Sequence, residues 1–247
     1  MNGMSDLKNE VVLVTGGGSG IGLAVARACL AEGARVAIAS RDAARLARAA
    51  ESVGAGNQLM QHAADVSDPD QVHALVSTVT SRLGPVDILV NNAGTNIKAR
   101  MFRELTPETW KLLVGANLDG AFYCMRELVP QMAQRGRGLI INVNSIAGVR
   151  ASPLGGPGYS AAKFGLHALS LCLGAEVKTD GIRVCGVYPG EVNTPILDVR
   201  PKSVDEAHRQ RILQPEDVAA AVLFIAKLPA HVVVPELVIT PLAQGYL

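Results

Sequence analysis

Tyr159 and Lys163 stand four positions apart, and their types and spacing suggest proton chemistry. On a helix they share one face, so a phenol and an ammonium can occupy one pocket. A tyrosine ordinarily titrates near pH ~10, and a neighbouring cation favours its ionised form. So placed, Tyr159 can exchange a proton with a substrate oxygen near neutral pH. A surface Tyr and Lys pair of this spacing also arises by chance, and two other features set this one apart. Ser145 lies fourteen residues upstream, just beyond the apolar run LIINV, and a glycine-rich turn lies near the N-terminus. By position alone Ser145 reads equally as a cap or a turn residue.

The glycine turn sits within EVVLVTGGGSGIGLAVARACLAEG, residues 10–33. Val11 to Val14 form a short apolar run with three β-branched residues, as expected of a central parallel strand covered on both faces. After Thr15, five of the next seven residues are glycine, and an Ala-rich amphipathic run from Ile21 to Leu30 reads as a helix. Gly16, Gly20 and Gly22 can take positive φ and carry no Cβ, so a phosphate can approach backbone N–H groups at the positive end of that helix. A dinucleotide is the natural ligand. The spacing departs from strict G-x-G-x-x-G and fits T-G-x-x-x-G-x-G; with no Gly-Lys pair, it is not a Walker A loop.

Strand and helix then alternate. Strands are expected at 34–39, 58–63, 86–90, 139–143 and 236–240, and helices at 41–53, 68–83 (Pro69 at its first position), 107–115, 116–135 and 159–177. Repeated βα units imply one doubly wound parallel sheet of about seven strands, Rossmann-like, with helices on both faces and ligands at the carboxyl ends of the strands. Asp65 and Asn91 fall at such ends, where short polar side chains suit an adenine edge or a backbone turn. Phe122, Met125 and Leu128, at spacings of three, mark a core stripe or a subunit contact.

Composition narrows the function class. Nearly half of the 247 residues are apolar and 18% are charged, enough for a large core, and the net charge of +1 argues against nucleic acid or a membrane surface as a partner. The longest apolar run, Val218 to Ala226, is too short for a membrane span. The N-terminus lacks a signal-peptide pattern. Cys29, Cys124, Cys172 and Cys185 never form C-x-x-C and read as free thiols in a reducing cytoplasm. The five histidines show no ligand spacing, so no metal site is expected.

In the order of its motifs the chain resembles the short-chain dehydrogenases/reductases, from about Leu7 to about Ala226. Thr15 to Gly22 (TGGGSGIG) is similar to that family's cofactor turn, Asn91 to Gly94 (NNAG) to its sheet-centre motif, and Tyr159 with Lys163 to its active-site pair; Asn117, Ser145, Pro189-Gly190 and Thr194 also match. The resemblance implies a single catalytic domain over 1–247. Tyr159 would be the general acid or base and Ser145 the support for the substrate carbonyl. Lys163 would hold the nicotinamide ribose while depressing the tyrosine pKa, Asn117 a relay water, and Thr194 the carboxamide. It implies dinucleotide contacts from Gly16, Ser19, Gly20, Ile21, Asp65, Val66, Asn92, Ala93, Gly94, Pro189, Gly190 and Val192. The chain ends HVVVPELVITPLAQGYL, without the usual V-D-G-G-like glycines, which leaves the substrate open.

The expected reaction is hydride transfer between a nicotinamide and a carbonyl or secondary alcohol. Reduction of 3-oxoacyl thioesters on a carrier protein is the runner-up, and an idle, redox-sensing dinucleotide-binding protein is the reading from another class. Ser40 occupies the position where an NAD-selective site places a carboxylate, and Arg41 follows it, so NADP(H) is expected ahead of NAD(H). Asp42 suits a helix N-cap better than a ribose contact. Ser19 stands where some NADP-dependent relatives carry a basic residue. The segment from Val192 to Leu213 is expected to form a substrate lid in which Ile196, Leu197 and Val199 meet an apolar substrate body while Arg200, Lys202, Arg209 and Arg211 are solvated. The two long helices carry surplus apolar residues, and in the family their equivalents pack across a two-fold axis, which implies a homotetramer ahead of a homodimer.

Overall fold

A computed structural model describes residues 6–54, 56–151 and 153–244. Seven strands form one sheet: β1 (Val11–Thr15), β2 (Arg35–Ser40), β3 (Leu59–Ala63), β4 (Ile88–Asn91), β5 (Gly138–Val143), β6 (Ile182–Pro189) and β7 (Glu236–Ile239). All pairings are parallel, in the order β3-β2-β1-β4-β5-β6-β7. The chain winds outward from β1 to β3, then returns to β4 on the other side of β1. The crevice opens at that reversal, beyond the carboxyl ends of β1 and β4.

The helices are α1 (Gly20–Ala31), α2 (Ala43–Val53), α3 (Pro69–Leu83), α4 (Pro107–Val114), α5 (Gly120–Arg135), α6 (Pro157–Val177), the short α7 (Glu206–Arg209) and α8 (Pro215–Ala226). Successive strand residues point to opposite faces, and this splits the core in two. Val12 and Val14 of β1 pack with Val25 of α1, Leu46 of α2 and Val222 of α8. Val11 and Leu13 pack on the other face with Val76 of α3, Leu128 of α5 and Leu166 of α6. Each such fully buried aliphatic side chain contributes about 1.5–3 kcal/mol, so both layers are needed to hold the sheet. Among the described residues no helix is long and apolar enough to cross a membrane.

The element boundaries expected from the sequence shift where side chains compete with the ladder. β4 begins at Ile88 rather than Val86, because the Asp87 carboxylate takes the Val11 N–H at 3.0 Å in place of a strand carbonyl. β2 reaches Ser40, one residue further than expected. The helix expected from Ala116 instead opens with a wide turn, Gly115–Asp119, in which the Gly120 N–H reaches back to the Gly115 carbonyl, and α5 starts only at Gly120. α6 begins two residues earlier than expected, at Pro157, whose fixed φ suits a first helical position. Asp68 caps α3 by accepting from the Asp70 and Gln71 N–H groups. In the expected α5 stripe, Met125 and Leu128 are buried while Phe122 is exposed.

Candidate active site

A cleft of about 1020 Å³ runs across the carboxyl ends of the strands, and of the positions singled out above for catalysis or cofactor binding all but Gly22 and Asn91 line it. At one end lies the glycine turn. Gly16 takes φ +66°, and a Cβ there would come within 2.9 Å of Ala93 Cα. Gly20 also has positive φ, whereas Gly22 does not; a Cβ on Gly22 would meet the Gly16 carbonyl oxygen and Asn92 Nδ2 at 2.5 Å. So the turn is pressed against the loop after β4. Thr15 and Asn92 fasten it: Thr15 Oγ1 accepts from the Asn92 and Ala93 N–H groups at 3.0 Å, and Asn92 Nδ2 donates to the Thr15 and Gly16 carbonyls at 3.0 and 3.2 Å. Thr194 packs over Gly20 from the far side.

Beyond the turn, at the end of β2, Ser40, Arg41 and Arg45 line the cleft. Arg41 reaches Asp65 at 3.8 Å, and Asp65 also accepts from Ser67 N–H and Oγ. Asp42 caps α2, accepting from the Arg45 N–H at 2.9 Å, so its carboxylate serves the helix as expected. Arg45 is a residue no motif singled out. Its stem lies over Gly18 beside Ser40 Oγ, and a Cβ on Gly18 would be 3.3 Å from each.

Asn91 and Asn117 hold the middle of the cleft together. Asn91 is buried and does not line the cleft; its amide donates to Asn142 Oδ1 at 2.9 Å, and Asn142 in turn donates to Ser170 at 2.8 Å. That internal network replaces the ligand or turn role read from its position. Asn117, in the wide turn before α5, donates both amide hydrogens, to the Thr95 and Leu113 carbonyls at 2.8 Å, and accepts from the Thr95 N–H. Both amide hydrogens are thereby used, while Oδ1 keeps a lone pair.

The other end carries the proton chemistry. Ser145, at the end of β5, accepts from the Ala147 N–H at 3.1 Å and shares the cleft with the Tyr159 phenol. Lys163 is 3% exposed; its ammonium donates to the Val143 carbonyl at 3.0 Å and lies 5.8 Å from the Tyr159 ring centroid. Burial lowers the Lys163 pKa from 10.5 to about 8. Burial also dominates at Tyr159, whose pKa is raised, opposed by the Ser145 hydroxyl and by the charge of Arg100. Arg100, which no motif marked, is thus a second cation acting on the phenol beside Lys163.

The segment from Val192 to Leu213 closes this end. Its base is tied by a parallel bridge between those two residues, and the Pro195–Val199 turn brings Ile196, Leu197 and Val199 to the cleft. Two of its basic residues are paired rather than solvated. Arg200 and His208 share the Glu191 carboxylate, and Arg209 pairs with Asp198 at 2.6 Å. Gln244 from the C-terminal stretch accepts from the Glu191 N–H at 2.9 Å, so the atypical tail seals the Pro189-Gly190 turn.

Known proteins match this arrangement. A family profile described as short chain dehydrogenase matches residues 10–204. An uncharacterised oxidoreductase of Staphylococcus saprophyticus is 32% identical over 96% of this chain and 100% of its own. A serine dehydrogenase solved with NADP+ superimposes with a TM-score of 0.86 at 31% identity, covering 96% of both chains. A 3-ketoacyl-(acyl-carrier-protein) reductase from Brucella melitensis solved with NADH gives the same TM-score at 31% identity, covering 95% of this chain and 98% of that one. The chain belongs to the short-chain dehydrogenase family, and it is an NAD(P)-dependent dehydrogenase or reductase.

Proposed function

We propose that the protein transfers a hydride between NADP(H) and a small carbonyl or secondary alcohol, with Ser145, Tyr159 and Lys163 as its catalytic residues. The observation that carries this is the gathering of Ser145, the Tyr159 phenol and the Lys163 ammonium at one end of a cleft whose other end is a glycine cradle. The cradle fits a dinucleotide, since side chains at Gly16 and Gly22 would fill the approach. Gly16, Ser19, Gly20 and Ile21 would face its pyrophosphate and Ser40 with Arg41 its 2′-phosphate; Asp65 and Val66 would meet the adenine, Asn92, Ala93 and Gly94 the adenosine ribose side, and Pro189, Gly190, Val192 and Thr194 the nicotinamide.

When bound, the nicotinamide supplies or accepts the hydride. Ser145 donates a hydrogen bond to the substrate oxygen and fixes the carbonyl plane. Tyr159 delivers its proton to that oxygen as negative charge develops, and takes it back in the oxidative direction. The Lys163 ammonium stabilises the phenolate left behind and is held in place by the Val143 carbonyl. Asn117 locks the loop after β4 on which the cradle leans.

NADP(H) is favoured over NAD(H) because guanidiniums, not a lone carboxylate, face the end of β2, and the serine dehydrogenase neighbour was solved with NADP+. Reduction of 3-oxoacyl groups on a carrier protein is the second reading, supported by the Brucella neighbour. An idle redox sensor would have no use for Ser145, Tyr159 and Lys163 in one pocket. We further infer one domain with a substrate lid over 192–213, a cytoplasmic setting in which the four free thiols stay reduced, and a homotetramer ahead of a homodimer, assembled through exposed Trp110, Leu112, Phe122 and Phe164. Tyr159→Phe tests the mechanism: turnover falls by ~10² or more while dinucleotide affinity stays within a few-fold. Undiminished turnover refutes it.

A further inference from the structure

Arg100 is 4% exposed, and its guanidinium holds three separate stretches of backbone. Nε donates to the Ile97 carbonyl at 2.7 Å in its own loop, Nη1 to the Leu154 carbonyl at 3.0 Å in the loop before α6, and Nη2 to the Val199 carbonyl at 2.5 Å in the lid. Among the described residues no carboxylate pairs with it. The packing beside it is close. Gly156 has φ +78°, and a Cβ there would stand 2.7 Å from the Arg100 carbonyl oxygen and 3.0 Å from its Cβ. Asn96, from the same loop, donates to the Gly155 carbonyl at 3.0 Å. The chain immediately ahead of Pro157, and so the first turn of the helix bearing Tyr159, is seated on this loop.

A buried cation without an anion is costly, and carbonyl dipoles compensate it only in part. A neutral side chain could tie loops together without that cost, so the charge itself needs a use. Several groups face the Tyr159 phenol or its cleft: Ser145 from the end of β5, Lys163 on the same helix, Arg100 from the loop after β4, Arg200 and Glu191 from the lid and its base, and Arg150 at the rim. Glu191 is committed to Arg200 and His208. Arg100 is left as the cation that stabilises the phenolate from outside the helix.

We infer that Arg100 is a positioning residue that couples the seating of the lid to the proton chemistry of Tyr159: with Val199 bound, its guanidinium is fixed in the cleft that holds the phenol, and its charge stabilises the phenolate. This rests on the reading of Tyr159 as the proton donor and acceptor. Three measurements on the full-length enzyme with dinucleotide bound test it: the pH profile of kcat/KM, the ultraviolet titration of Tyr159 taken as a difference from the matched Tyr159→Phe protein, and amide hydrogen exchange over 195–200. In Arg100→Met the phenol and the kinetic ionisation both move about one unit to higher pH, and exchange over 195–200 speeds up. Arg100→Lys keeps the charge but loses the fork, so exchange speeds up while the ionisation moves less. A phenol that stays in place in Arg100→Met overturns the inference, as does unchanged exchange in Arg100→Lys, which also decides the matter should the Met variant not fold. A phenol that moves without the kinetic profile following it leaves Arg100 as inferred and refutes the role of Tyr159 instead.

Discussion

Replacing Lys163 with methionine is expected to abolish turnover and yet stabilise the fold at neutral pH. Lys163 is 3% exposed and burial lowers its pKa from 10.5 to about 8. At ~1.4 kcal/mol per tenfold, holding the ammonium in this site costs on the order of 3 kcal/mol. The folded pKa lies below the unfolded one, so between pH 8 and 10.5 the unfolded chain binds more protons and stability rises with pH. Below pH 8 the whole cost is present. Methionine has a similar length and no charge, so it removes that cost but leaves the Val143 carbonyl without its partner, a loss of ~1–3 kcal/mol. The net at pH 7 is a gain of up to roughly 2 kcal/mol, or up to ~6 °C in Tm for a chain of this size. Near pH 10.5 the folded wild-type chain has lost the charge and the unfolded chain about half of it, so most of the cost has gone and the variant becomes the less stable protein. Urea denaturation of both dinucleotide-free proteins at matched concentration, from pH 7 to pH 10.5, reads the difference. A variant that is less stable at pH 7 by an amount that does not change with pH would refute the reasoning.

Other substitutions probe separate parts of the molecule. Asp87 is buried at the opposite end of the sheet, where it pairs with Arg135 at 2.6 Å and Arg137 at 2.8 Å and accepts from the Val11 N–H; Asp87→Ala is expected to cost about 3 kcal/mol in denaturant melts while leaving KM for the dinucleotide unchanged, and a loss under ~1 kcal/mol would count against its role. Ser40→Asp combined with Arg41→Ala is expected to reverse a preference for NADPH in steady-state kinetics, with Arg41→Ala alone weakening it; a wild-type enzyme favouring NADH in kcat/KM sinks that assignment. Light scattering at micromolar concentration should find a species two or four times 25.8 kDa, and a monomer alone would contradict the assembly drawn from Phe122 and its neighbours.

What was legible in the sequence is what local chemistry determines. A β-branched run followed by glycines leaves few structures open, and Tyr159 with Lys163 share a face and lie close together on a helix. Pro69 behind Asp68 marks a helix start wherever it occurs. The parallel pairing, too, follows from repeated βα units and the handedness of their crossovers, whereas the order β3-β2-β1-β4-β5-β6-β7 is one of several they allow. Contacts between segments distant in sequence were not legible. Asn91 and Asn92 are adjacent and chemically identical, yet one is turned inward to Asn142 and the other outward to the glycine turn, because successive strand residues face opposite ways. Arg45 and Arg100 carry no motif. Arg45 joins the cleft because α2 begins close to Gly18, and Arg100 because the lid comes within reach of a loop nearly one hundred positions earlier.

The same contrast separates the two ends of the sheet. At the amino ends the buried charge of Asp87 is met by two guanidiniums and a backbone N–H. Among the described residues, Asn91 Oδ1, Asn144 Oδ1 and Ser160 Oγ at the carboxyl ends are buried without a hydrogen-bond partner, as are Arg35 Nε at the start of β2 and Thr80 Oγ1 in α3, but only at the carboxyl ends do cations, Lys163 and Arg100, lie buried without a carboxylate. A fold selected for stability alone would fill these positions with apolar side chains. Placing uncompensated cations where the strands end keeps that surface ready for phosphates and for a developing oxyanion, and the stability given up there is held by the two apolar layers and the Asp87 cluster behind them.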